Sequence, residues 1–205
     1  IFGSQKLNNE LKEKIKQHIN ISEQDIKEMN YFIYNIKKNW QEINDLFFSE
    51  LKENIGNYFE EEYSCYLTDK IVGAYFNDNE ITIDYNKKLD LDTACFILAE
   101  ELLHLVYWKM WAKEFNKKIR DYDKIFSYKK GRWSCWNIAE IIPEYLLIDN
   151  PSFKRFGWNN RKRYLCYKWI PELRKILNPL WENKKDFKDF VIKAHEAVGI
   201  NIKEI

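Results

Sequence analysis

The chain has 205 residues, the length of one or at most two domains, and its formal net charge of +1 excludes binding to a polyanion through overall charge alone. A hydrophobic content of 45%, with 17% aromatic residues, predicts a sizeable core, and no apolar run approaches the roughly 18 residues that a membrane span needs. The four cysteines are widely spaced without a C-x-x-C pair, which argues against a zinc ribbon and predicts reduced thiols in a cytoplasmic protein.

The chain begins with two predicted helical stretches, which together span residues 5–59. Residues 5–19 have an amphipathic pattern, with apolar residues at Leu7, Leu11, Ile15 and Ile19. Ser22 and Asp25 have the spacing of a helix N-cap and its N3 acid, so a second helix is predicted to start there. Its pattern continues to about residue 59, which is too long for an ordinary globular helix. A break is therefore predicted near Asn39 or Asn44.

Period-two alternation follows, which is typical of β-strands. The alternating residues are Tyr63, Cys65 and Leu67, then Ile71, Gly73 and Tyr75, then Ile81, Ile83 and Tyr85. Polar turns separate the three runs. The pattern predicts a three-stranded antiparallel sheet between residues 62 and 86, packed on the helix that comes next.

The stretch from residue 91 to residue 108 has helical periodicity, with Asp92 or Thr93 as its predicted cap. Glu100, Glu101 and His104 interrupt its apolar run. Charged groups in a buried stripe are costly unless they are paired or bind a metal. Glu100 and His104 are four residues apart, so they lie on one face of the helix, and Glu101 lies close to both.

A second buried helix is predicted between residues 132 and 149. Glu140 and Glu144 again stand four residues apart, and Pro143 removes one backbone hydrogen bond and is predicted to bend the helix.

The remaining residues, 151–205, are predicted to form a helical extension that is rich in basic and aromatic residues. Basic and aromatic side chains together are typical of a nucleic-acid surface, and the alternative is a core lined by aromatics with a solvated lysine face. A final helix is predicted from Asp186 to Val198, with His195 and Glu196 as a surface or cap pair.

The sequence Glu100–His104, E-E-L-L-H, resembles the H-E-x-x-H helix of the zincin metallopeptidases, with Glu in place of the first His. The resemblance covers roughly residues 41–150, and we expect one α+β domain of zincin type over residues 1–205. In it, a zincin-like core (60–150) would follow the N-terminal helices (5–59) and precede a C-terminal extension (151–205). It also implies a sheet whose edge strand, at Gly73, Ala74 and Tyr75, pairs with an extended peptide or protein substrate.

The same resemblance implies roles for the acidic residues. In the gluzincin branch, Glu100, His104 and Glu140 correspond to metal ligands, Glu101 to the general base, and Glu144 to a supporting acid that could take the ligand role from Glu140. The metal would be zinc, although a shell with two carboxylates shifts the preference toward manganese or iron. The expected function is metal-dependent peptide hydrolysis.

Besides nucleic-acid binding by the C-terminal region, three alternatives to the hydrolase remain open. A zincin-like domain that has lost one ligand could be an inactive protein-binding module without a metal. Glu101 and His104 also form E-x-x-H, as in ferritin-like carboxylate sites, but the chain lacks the second such motif that these sites use. Finally, a core helix whose acids are paired at its edge needs no function at all.

Overall fold

Helix α1 (Glu23–Asn54) begins the part of the chain that the computed structural model describes, which comprises residues 22–59, 62–68, 74–77, 79–84, 89–116, 129–158 and 167–202. The predicted helix over residues 5–19 lies outside these ranges. Ser22 and Asp25 form the predicted capping box, in which each side chain bonds the backbone of the other residue. Gly56, with φ at +113°, follows the end of the helix.

The predicted break in α1 is wrong, because the helix is continuous through Asn39 and Asn44. Asn44 accepts a hydrogen bond of 3.0 Å from the indole Nε1 of Trp40, one turn earlier. Its side chain is therefore satisfied along the helix and does not compete for the backbone. Burial of the C-terminal half, at Phe47 and Leu51, then stabilises a helix longer than its local pattern favours.

Three strands follow: β1 (Ser64–Thr68), β2 (Ala74–Asn77) and β3 (Glu80–Asp84). The strand order is β1-β3-β2, in which β2 and β3 are antiparallel but β1 and β3 are parallel. The prediction of an entirely antiparallel sheet is therefore wrong for β1. The central position goes to β3, whose Ile81 and Ile83 are almost completely buried, whereas β1 is half-exposed and suits an edge.

Helix α2 (Leu91–Glu114) lies at the centre of the molecule and packs against α1, β2 and β3. Its cap is Asp90, not the predicted Asp92 or Thr93. The Asp90 carboxylate accepts hydrogen bonds of 2.7 Å from both the backbone N–H and the hydroxyl of Thr93. From Ala94 onward the helix is buried on nearly all sides, so its polar residues lie inside the protein.

A short hairpin, β4 (Lys129–Lys130) and β5 (Trp133–Ser134), leads into helix α3 (Cys135–Pro143). Ser134 and Asn137 form a second capping box at the start of α3. After Pro143 the backbone changes to a π-helix, Glu144–Asp149, and then to a 3-10 helix, Pro151–Phe156. The predicted bend at Pro143 is thus a change of helix type, since proline cannot donate the next α-helical hydrogen bond.

Helices α4 (Ile170–Glu182) and α5 (Phe187–Ala197) complete the described chain. Helix α5 agrees with the prediction for residues 186–198, and Asp186 caps it. Buried residues from α1 to the C-terminal end form a continuous hydrophobic core around α2. The described chain is a mostly helical α+β fold, and no helix within it is long and apolar enough to cross a membrane.

Candidate functional site

Glu100, Glu101 and His104 are buried on α2, with relative exposures of 5%, 7% and 4%. Helix α2 begins at its cap Asp90 and is buried on nearly all sides from Ala94 onward, so these three side chains lie in the core. Three ionisable side chains in one buried turn are costly unless other groups compensate them. The predicted site residues of α2 therefore lie together inside the fold, where charge compensation is required.

Helix α3 brings Glu140 to the same place. The capping box at Ser134 fixes the start of α3, and Glu140 lies one turn and a half further along. The Oε1 atom of Glu140 lies 3.7 Å from the Nε2 atom of His104. This distance is longer than an ordinary N–H···O hydrogen bond, so the pair is close without being in direct hydrogen-bond contact. The structure thus brings together the predicted ligands His104 and Glu140.

Glu144 makes its strongest described contact away from His104. The Nη1 atom of Arg174 on α4 donates to its Oε2 atom at 2.6 Å, and Arg174 also pairs with Asp149. Burial raises the pKa of the Glu144 carboxyl, although the bond from Arg174 opposes that shift. Arg174 therefore ties both ends of the π-helix to α4, which fixes the segment that follows Glu140.

The three predicted ligands do not form a complete shell. In the described parts of the chain, no three side chains of His, Cys, Asp or Glu are arranged so that they could hold one metal ion. The ligand roles of Glu100, His104 and Glu140 accordingly stay a prediction, as does the supporting role of Glu144. The structure provides a pair, His104 and Glu140, with two further buried acids on the helix of His104.

Strand β2 lies at one edge of the sheet and close to α2. Ala74 pairs with Ile83 and Tyr75 with Thr82, and the described sheet has no further strand beyond β2. Gly73, the first residue of the predicted substrate-binding edge, lies outside the described residues. Strand β2 is thus an edge of the described sheet next to α2, and its pairing with an extended peptide stays a prediction.

Burial makes the two buried cysteine thiols weakly acidic. Burial raises the pKa of Cys95 to about 11 and that of Cys135 to about 12, and both carry free thiols. Because the thiolate is the nucleophile and the metal ligand, neither thiol is activated at neutral pH.

Part of the basic and aromatic C-terminal region packs into the fold where it is described. Phe153 and Trp158 are buried, Arg155 forms an ion pair of 2.7 Å with the buried Glu50, and Arg174 pairs with Glu144 and Asp149. Arg161, Lys162 and Arg163 lie outside the described residues. Rings inside the core cannot stack on bases. Lys154, Lys168 and Lys175 are exposed, and Tyr167 and Trp169 are half-buried, so nucleic-acid binding by this region stays a prediction.

A cleft of about 520 Å³ opens on a different face of α2. Leu98 and Leu102 of α2 contribute to its wall, together with α1, β1 and β3. Positions 98 and 102 lie roughly opposite positions 100 and 104 on an α-helix, so the cleft does not lead to Glu100 or His104. The remaining lining residues are Trp40, Asn44, Phe48, Phe59, Glu62, Tyr63, Cys65 and Ile81.

His195 is fully buried, so the prediction of a surface or cap pair is wrong for His195, whereas Glu196 is exposed. Its Nδ1 atom lies 2.8 Å from the carbonyl oxygen of Val191, and its ring packs 6.3 Å from that of Trp111 on α2. The burial of His195 was not predicted because it depends on α5 packing back onto α2. A lone His near a helix end gives no signal of such a contact. The buried Nε2 atom has no hydrogen-bond partner among the described residues.

Burial of His195 predicts a loss of stability in acid. Burial lowers the pKa of its imidazole to about 4, against an ordinary value near 6.5. As pH falls from 6.5 toward 4, the unfolded chain binds a proton that the folded chain does not. The free energy of unfolding should therefore fall by on the order of 3 kcal/mol over this range. Urea unfolding at pH 7.5, 5.5 and 4.5 measures the effect.

A His195→Phe variant is expected to lose this part of the pH dependence, whereas His18→Gln should keep it. Parallel losses of stability in all three proteins would instead assign the acid sensitivity to other groups.

Comparison of the chain with family models, with curated proteins and with solved structures gives no match.

Proposed function

We propose that this protein is a metal-dependent hydrolase of zincin type that cleaves peptide bonds. The observation that carries the proposal is the approach of Glu140 to His104 across two buried helices, at 3.7 Å, beside two more buried acids on α2. Perturbed or costly ionisable groups that converge inside a fold are functional candidates, because purely structural packing would favour apolar residues there.

The distance between the two donor atoms fits a shared ion. Two donors that each lie about 2.1 Å from one metal ion at a tetrahedral angle are roughly 3.4 Å apart. The Nε2 atom of His104 and the Oε1 atom of Glu140 stand close to that separation. In the proposal Glu100 provides the third donor, from the same face of α2 as His104. Imidazole and carboxylate are donors that zinc, manganese and iron accept.

Each residue then has a defined task. A bound divalent ion polarises a carbonyl group and makes water more acidic. The Glu101 carboxylate takes a proton from the water that attacks the carbonyl carbon of the peptide. It then donates that proton to the departing amine as the carbon–nitrogen bond breaks. Glu101 is 7% exposed, so its carboxylate lies inside the fold.

Strand β2 is proposed to position the substrate. A peptide that adds to the free side of this edge would lie antiparallel or parallel to Ala74 and Tyr75, close to α2. Main-chain hydrogen bonds to such an edge bind many sequences, and the surrounding pockets select among them. The substrate class is accordingly an extended segment of peptide or protein.

One observation favours a second candidate, an inactive zincin-like module that binds protein without metal. The described His, Cys, Asp and Glu side chains do not form a three-ligand group, and Glu100 stands where zincins have a histidine. The two candidates share the fold and the edge strand. They differ in whether Glu100 joins His104 and Glu140 around an ion.

Activity with supplied metal separates the two candidates. The purified protein should cleave members of a mixed peptide pool, followed by mass spectrometry, when zinc, manganese or iron is added in turn. Glu100→His replaces an anionic ligand by a neutral one, which makes the ion a stronger Lewis acid. We expect this variant to bind zinc more tightly, because it restores the two-histidine, one-glutamate ligand set of catalytic zinc sites, and to hydrolyse peptides faster. No cleavage with any of the three metals, by either protein, would favour the binding module.

A further inference from the structure

The cleft of about 520 Å³ between α1, α2 and the sheet has walls that are largely aromatic. Trp40 and Phe48 line it from α1, and Phe59 and Tyr63 line it from the segment that follows α1. All four side chains are half-buried, so part of each ring stays accessible. A concave site of several hundred Å³ with apolar and aromatic walls has the size and lining typical of small-molecule sites.

The spacing of residues along α1 builds one wall of the cleft. Trp40, Asn44 and Phe48 are four residues apart, so they lie on one face of the helix. The indole Nε1 atom of Trp40 donates to the Oδ1 atom of Asn44 at 3.0 Å. The ring of Phe48 lies 5.2 Å from that of Phe59 and 6.1 Å from that of Tyr63. The wall is therefore an array of neighbouring rings whose indole N–H is already bonded.

The floor of the cleft is aliphatic and belongs to the core. Ile81 of β3 and Leu98 and Leu102 of α2 line it, and all three are almost completely buried. A flat apolar group that enters the cleft would meet rings at the sides and aliphatic carbon below, which removes its surface from water. The apolar part of a ligand therefore fits at this floor.

Glu62 is the one charged side chain among the described residues that line the cleft. It is exposed, and it has neither an ion pair nor a hydrogen bond within the described parts of the chain. Its carboxylate is therefore available to a positively charged group at the edge of the aromatic wall.

The rings add to this preference for a cation. The face of an aromatic ring carries negative electrostatic potential, which attracts ammonium groups. Within this protein, the Nζ atom of Lys109 lies 5.4 Å from the centre of the Tyr63 ring and donates to the Oδ1 atom of Asn79 at 2.5 Å. Lys109 is not among the described lining residues, so the surfaces of Phe48 and Phe59 in the cleft are left for a ligand.

We propose that this cleft binds an arylalkylamine, a small molecule with an aromatic ring and a primary ammonium group on a short alkyl chain. The ring of the ligand packs against Trp40, Phe48 and Phe59, and its ammonium group pairs with Glu62. The inference is independent of the proposed hydrolase, because the α2 residues that line the cleft lie roughly opposite positions 100 and 104 on the helix.

Calorimetric titration of the full chain with tryptamine and with tryptophol tests the need for a cation. The two probes share an indole ring and a two-carbon chain, but tryptophol has a neutral hydroxyl in place of the ammonium group. Tryptamine should bind at least about tenfold more tightly, since only its charge is attracted by the rings and by Glu62. Equal affinities, or no binding of tryptamine at about 1 mM, would overturn the proposal.

Substitution of Glu62 tests where the ammonium group lies. Glu62→Gln should weaken tryptamine binding roughly threefold or more and leave tryptophol binding unchanged, because it removes the charge and keeps the shape. Glu53→Gln is the matched control at an exposed residue of α1, and it should change neither affinity.

Substitution of Phe59 tests where the ring of the ligand lies. Phe59→Ala should weaken both probes by about fivefold, whereas Tyr31→Ala, at a residue that is 72% exposed on α1, should have no effect. Tryptamine binding that is unchanged in both Glu62→Gln and Phe59→Ala would place the amine outside the cleft and contradict the proposal. Far-UV circular dichroism checks that each variant keeps its helices.

Discussion

Replacing Glu101 by glutamine is expected to reduce peptide hydrolysis by roughly 10²- to 10⁴-fold or more, while metal binding is retained. Glutamine keeps the shape of the side chain and its place in the buried turn of α2, where Glu101 is 7% exposed. It cannot accept a proton from water and return it to the leaving amine, so only the transfer step is lost. The rate of cleavage and the bound metal are measured on the same preparation.

Glu53→Gln provides the matched control, because it makes the same chemical change at an exposed residue of α1. This control should retain the wild-type rate. If Glu101→Gln hydrolyses peptides as fast as the wild-type protein, Glu101 is not the base. A loss of metal and activity together would instead make it a ligand or a structural acid.

Phe47→Ala is expected to lower the free energy of unfolding by about 3–5 kcal/mol. Phe47 is completely buried and joins α1 to the segment that follows the π-helix. Its ring lies within 5.2–6.1 Å of the rings of Trp40, Phe48, Phe153, Phe156 and Trp158. Removing it leaves a cavity and breaks several edge-to-face contacts at once.

The neighbouring substitution Leu46→Ala is the control, because Leu46 is 38% exposed and its loss should cost less than about 1 kcal/mol. Urea unfolding curves of the three proteins measure both effects. Equal destabilisation by the two substitutions would mean that the aromatic cluster around Phe47 does not hold α1 to the core.

Local signals predicted the starts of α1 and α5 but missed the cap of α2 at Asp90. Ser22 with Asp25 and Asp186 mark helix starts through bonds between residues three apart, which a sequence displays directly. The buried acids of α2 were likewise visible as charges inside an apolar run. Strands were predicted at about the right places, since alternation is also a local property.

Features that depend on distant contacts were not predictable in the same way. Period-two alternation does not indicate which strands pair or in which direction, so the parallel pairing of β1 with β3 was not predicted. The pairing of Glu144 with Arg174 joins residues thirty positions apart, and the burial of His195 depends on α5 packing against α2. The approach of Glu140 to His104 was expected only through the resemblance to zincins, because spacing along the chain does not bring α3 to α2.

The metal content of the protein, purified without added metal, tests the proposed site most directly. Elemental analysis should find about one equivalent of zinc, manganese or iron per chain, and His104→Gln should lose it while keeping the wild-type far-UV circular dichroism. A folded wild-type protein that contains no metal, and takes up none of the three when each is supplied, would contradict the proposed site.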